Sequence, residues 1–134
     1  MLPIVVGVFL GVGIAALGKF THFDHDRSFY FTVLVVIASY YVLFAVMGGS
    51  GHALIWELVV AAAFSTVAIV GALFFPTLVG MGIVAHGLFD FVHDGIVENA
   101  GVPIWWPGFS GSIDVVLGLW VISLARSREK QPGH

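Results

Sequence analysis

Long apolar runs alternate with short polar or glycine-rich breaks along the whole chain. The runs cover approximately residues 2–17, 28–47, 51–75, 76–97 and 109–125, each near the ~20 residues a helix needs to cross a bilayer core. They predict five transmembrane helices, or four if the first and shortest does not cross fully. The breaks have local causes. Asp26 and Ser28 are N-cap-type residues ahead of the run that begins at Phe29. Gly48, Gly49, Ser50 and Gly51 form a turn, and Pro76 falls where proline suits the first turn of a new helix. The stretch from Asn99 to Gly111 reads as a loop, with Trp105 and Trp106 suited to a headgroup interface. The predicted fold is thus an all-α integral membrane bundle over 1–125 with a short polar tail over 126–134.

The first run lacks the positively charged start of a signal peptide before Pro3. Its Gly7, Gly11 and Gly18 fall near one helical face, as in a close-packing span. The same face would supply the contact between copies if the protein forms a homodimer.

Composition narrows the class. Of 134 residues, 59% are hydrophobic and 10% charged, against about 25% charged in a soluble domain. Those polar residues could not cover a soluble fold of this size, which excludes a soluble enzyme, a nucleic-acid binder and a disordered chain. The chain has no cysteine, so disulfides, thiolate metal sites and cysteine nucleophiles are excluded. Its basic residues occur in two places, Lys19 with Arg27, and Arg126, Arg128 with Lys130. Four crossings separate the two groups, so they share one side, and the positive-inside rule makes it cytoplasmic. The N-terminus, the turn at 48–51 and the tryptophan loop then face outward, from a plasma or bacterial inner membrane, with lipid as the surrounding partner.

Charge also points to a site. From Ser28 to Ala125 there is no lysine or arginine, yet Glu57, Asp90, Asp94, Glu98 and Asp114 lie there with His52, His86 and His93. An ionised carboxylate in hydrocarbon costs at least a few kcal/mol and normally survives beside a cation. With none available, these acids must be protonated, bonded to histidine, hydrated or bound to metal. His86, Asp90 and His93 sit at i, i+4 and i+7 and project within an arc of about 60°. Asp94 flanks them. Glu57 shares its face with Ala53, Ala61, Ala68 and Gly71, and Asp114 shares its face with Ser110, Gly111, Gly118 and Ala125; small residues mark helix–helix faces. At about 1.5 Å per residue, Glu57 and Asp114 lie roughly 9 and 8 Å from the outer ends, and His93, Asp90 and His86 roughly 6, 10 and 16 Å. Tyr40 and Tyr41 reach a similar depth.

These placements predict one cluster in the outer half of the bilayer. The leading expectation is a divalent metal site for zinc, iron or manganese, since imidazole and carboxylate donors without thiolate suit those ions. His86, Asp90 and His93 are the expected ligands. Glu57 is the candidate general base and Asp114 a further ligand or proton carrier, with Asp94 and Tyr40 orienting the ligands. A catalytic centre of this kind would be a metal-dependent hydrolase for a lipid or another amphiphile. The alternative is a proton-coupled transporter or ion-conducting protein using the cluster as a relay, and the bland reading is hydrogen-bonded glue between helices. A bis-histidine haem is disfavoured because His52 lies about 140° round its helix from Glu57. The His22-Phe23-Asp24-His25-Asp26 string reads as solvated loop rather than a second metal site, and His134 closes a polar tail.

Overall fold

The computed structural model describes residues 2–22, 27–49, 51–96, 99 and 101–129, with the side chains of Arg27, Ser28, Asp94, Arg128 and Glu129 outside that description. The expectations placed on Asp26, on the loop string beyond His22, on Glu98 and on His134 therefore fall outside the described residues, and His22 is exposed. Five helices follow one another: α1 (Leu2–Thr21), α2 (Arg27–Gly48), α3 (Gly51–Leu73), α4 (Pro76–Ile96) and α5 (Trp106–Glu129). Among the described residues there is no strand.

Element ends follow chain chemistry more than hydropathy. α1 runs on past the apolar stretch to Thr21, with Lys19 in its last turn, where a cation complements exposed carbonyls. α5 starts at Trp106, three residues before the apolar run. Pro107 then lies in the first helical turn, where its missing N–H leaves no bond unmade. At its other end α5 continues through Glu129, so the start of the expected polar tail is the last turn of this helix. Gly49 takes a left-handed φ of 74° between α2 and α3, a conformation that suits glycine. Its N–H closes α2 onto the Ala45 carbonyl at 3.1 Å.

Among the described residues, four helices are long and apolar enough to cross a membrane: α1, residues 29–48 of α2, α3, and residues 106–127 of α5. The first run, the weakest on sequence, qualifies. The element outside this set is α4, in which His86, Asp90 and His93 interrupt the apolar run. Its position accounts for that. α4 packs against α5, α3 and α2, while α1 is peripheral and packs on α5. The polar face of α4 is thus turned to its neighbours, while Met81, Leu88, Phe91, Val92 and Ile96 on its other side are exposed.

The α4–α5 contact is the most extensive in the bundle. A Cβ on Gly80 would lie 3.0 Å from the Gly118 carbonyl oxygen, and one on Gly87 would lie 2.9 Å from that of Gly111. Two pairs of glycines, each seven residues apart, therefore let the two backbones approach along both halves of the seam. Gly7 and Gly11 do the same for α1 against α5, meeting Phe109, Ser112, Ile113 and Val116. The glycine face expected to join two copies is covered within the chain.

The interior is layered. Towards the end where α3 meets α4, Tyr30, Leu34, Ala68, Val79, Ile83, Leu117 and Val121 form an apolar core. Towards the opposite end, which carries the 48–51 turn and the loop after α4, the buried polar residues are Glu57, His86, Asp90, His93, Ser110, Ser112 and Asp114.

Candidate functional site

Each polar side chain reaches this layer because its helix turns a small-residue face inward. On α3 the buried residues are Ala53, Glu57, Ala68 and Gly71; on α5, Ser110, Gly111, Asp114, Gly118 and Ala125 are all buried. Glu57, His86, Asp90, His93 and Asp114 are each no more than 1% exposed. His52 is exposed and accepts a hydrogen bond from Trp56 Nε1 at 3.2 Å, away from the cluster.

The five residues resolve into two groups. In the deeper one a hydrogen bond of 2.8 Å joins His86 Nδ1 and Asp114 Oδ2 across the α4–α5 seam. Asp90 Oδ2 lies 3.7 Å from the same nitrogen. One donor atom from each of His86, Asp90 and Asp114 falls within 4.8 Å of the other two. In the second group His93 Nε2 and Glu57 Oε2 are hydrogen-bonded at 2.7 Å, linking α4 to α3. This changes the expected ligand set. His93 does not join His86 and Asp90 as expected; its ring points to the α3 side and engages Glu57. Asp114, from the other side of α4, completes the deeper group. An arc of 60° on one helix is wide enough for its two edges to face different neighbours.

Tyr41 sits between the groups. Its hydroxyl donates to Asp90 Oδ1 at 2.5 Å, and its ring stacks on His93 with centroids 3.9 Å apart and planes 10° apart. Tyr40, expected to orient ligands, instead turns outward at 37% exposure and meets Trp106 edge-on. Adjacent helical residues differ by about 100°, so only one of the two tyrosines can face inward. Asp94 was expected in the same supporting role; its side chain lies outside the described residues. Loss of the Tyr41 hydroxyl in Tyr41→Phe leaves Asp90 Oδ1 buried without its donor and should cost about 1–3 kcal/mol. Tyr40→Phe should be near neutral. Reversible unfolding of the two variants side by side in mixed detergent micelles checks this.

Asn99, at the start of the expected loop, is part of the second group. Its Nδ2 donates to Glu57 Oε2 at 2.8 Å and to the Tyr41 carbonyl at 3.1 Å, while its Oδ1 accepts from Gly101 N–H at 3.1 Å. The loop comes close enough for this because Gly101 lies directly against the Phe44 carbonyl, where a Cβ would collide. The Asn-x-Gly sequence is a turn signal, but helical periodicity cannot say that a loop side chain turns inward.

Within this cluster Glu57 Oε1, His86 Nε2 and Asp90 Oδ2 are buried without a hydrogen-bond partner, a state in which buried polar atoms are rarely left. Chemically, the deeper group offers imidazole and two carboxylates, a donor set that suits a borderline or hard divalent cation. Comparison with protein-family models, with characterised proteins and with solved structures returns no match.

Proposed function

We propose that the protein is an integral membrane protein whose centre binds a divalent metal ion through His86, Asp90 and Asp114. The observation that carries this reading is the convergence of those three donors, all buried, to within 4.8 Å of one another. No lysine or arginine lies anywhere between Ser28 and Ala125 to neutralise them. Two acids and one imidazole in a low-dielectric interior need positive charge or protons, and a divalent cation meets that need directly. The spacing fits. Two donors about 2.1 Å from an ion at a tetrahedral angle are roughly 3.4 Å apart, and the distances of 2.8 and 3.7 Å from His86 Nδ1 bracket this value. Tyr41 would orient Asp90 from behind, as outer hydrogen bonds do around metal ligands.

In this reading all five helices cross the bilayer, with the polar face of α4 covered by its neighbours. The N-terminus lies outside and the C-terminus in the cytoplasm, as the placement of the basic residues favours. Large apolar side chains exposed along the helices, such as Phe9, Leu43, Val59 and Leu119, support lipid contact. Binding is the function supported here. The expected general base, Glu57, stands in the second group with His93 and Asn99 rather than among the three donors, and the proposal is limited to binding.

Elemental analysis of protein purified without chelator is the test. About one equivalent of zinc, iron or manganese is expected. His86→Ala and Asp114→Asn should each weaken binding by at least tenfold to a hundredfold, the scale seen even for supporting groups, whereas His93→Gln should retain the metal. Absence of stoichiometric metal after reloading with each ion, or equal loss in His93→Gln, would overturn the assignment.

A further inference from the structure

The second group holds a property that metal binding does not use. The Asn99 amide has one permitted orientation: Oδ1 must face the Gly101 N–H, so Nδ2 must face the Tyr41 carbonyl and Glu57 Oε2. Glu57 Oε2 is therefore an acceptor. A carboxyl hydroxyl oxygen accepts poorly, so the oxygen taking bonds of 2.8 Å from Asn99 and 2.7 Å from His93 is the unprotonated one. His93 Nε2 then carries a hydrogen and donates it. Any proton taken up by the carboxyl group must go to Oε1, the oxygen that is buried and has no hydrogen-bond partner.

We propose that Glu57 Oε1 is a proton-binding site in its own right, separate from the His86 group, with Asn99 and His93 holding the other oxygen as a fixed acceptor. Loading and unloading this proton changes the buried charge by one and breaks none of the hydrogen bonds described. A proton is the ligand that fits. A metal ion needs three or more donors, and this group presents one uncommitted carboxylate oxygen. Among the described residues, the hydrogen bonds of Glu57 run only to His93 and Asn99, and not to the proposed metal ligands. The titratable groups that face it are Tyr41 from α2 and His93 from α4, with His86, Asp90 and Asp114 in the deeper layer. Proton and cation occupancy are then reciprocally linked, because each changes the charge that the other meets.

Infrared difference spectroscopy of the full chain, freed of metal with chelator and titrated with acid, tests this without reference to cation binding. A carbonyl stretch of a protonated carboxyl group should appear as pH falls, be lost in Glu57→Gln and persist in Asp114→Asn. In Asn99→Ala, which removes a donor to the charged form, its midpoint should move to higher pH by about one unit, the scale of one hydrogen bond to a carboxylate. Titration in Glu57→Gln indistinguishable from wild type, or an unmoved midpoint in Asn99→Ala, would overturn the proposal. Should Glu57→Gln fail to fold, the loop variant decides alone. Failure of metal binding with the Glu57 band intact would remove the metal reading and leave this one standing.

Discussion

Leucine in place of Gly87 is expected to abolish divalent-cation binding and to lower the unfolding midpoint in detergent more than any single exchange at an exposed glycine. A Cβ at this position would lie 2.8 Å from Asp114 Cβ and 2.9 Å from the Gly111 carbonyl oxygen. Neither neighbour is the far end of a flexible side chain, so relief requires α4 and α5 to part. Overpacking a well-packed seam costs about 1–3 kcal/mol in general. Here the same displacement stretches the 2.8 Å bond between His86 and Asp114, and stranding those buried groups adds about 1–3 kcal/mol. Gly95 provides the control. It lies on the same helix with nothing within 4 Å of an added Cβ, so Gly95→Leu should fold as wild type and keep the metal, with a small gain from helix propensity. Equal unfolding midpoints and equal metal content in the two variants would show that the glycine seam does not position the ligands.

The seam also shows how far the chain can be read without coordinates. The turn at Gly48–Gly51, the start of α4 at Pro76 and the inward faces of Glu57 and Asp114 are legible, because glycine, proline and small-residue periodicity act locally. The burial of His86, Asp90 and His93 follows from helical spacing in the same way. Their partition does not. Whether His93 joins His86 or Glu57 depends on which neighbour lies at each edge of α4, and that is set by how α3 and α5 dock. The choice between Tyr40 and Tyr41 likewise turns on the rotation of α2 about its axis, and both residues look alike to a depth estimate. Asn99 lies in a connection, where no period constrains direction. The polar character of α4 was visible as charge, but its central place among α2, α3 and α5 comes from the packing of the bundle.

The largest stability effect on the α3 side is expected from His93→Leu, and its comparison with a double replacement separates a functional pair from plain helix glue. Removing His93 alone leaves the Glu57 carboxylate buried with Asn99 as its remaining hydrogen-bond donor. Breaking a buried ionic pair from one side costs about 3–5 kcal/mol in general. A neutral hydrogen bond between membrane helices averages only about 0.6 kcal/mol, so the size of the loss reports the charge state of the pair. Glu57→Leu together with His93→Leu removes both polar groups and places apolar side chains against the Tyr41 and Phe89 rings that now flank His93. The double variant should therefore be more stable than His93→Leu alone, since apolar replacement of a buried pair is often neutral or stabilising. Unfolding free energies of the four proteins in mixed micelles close the cycle. A loss near the neutral value in His93→Leu, with the double variant less stable still, would mean that Glu57 and His93 are uncharged partners holding α3 to α4. A positive coupling of several kcal/mol would mean that Glu57 is ionised beside His93, the unloaded state that the proposed proton site on Oε1 requires.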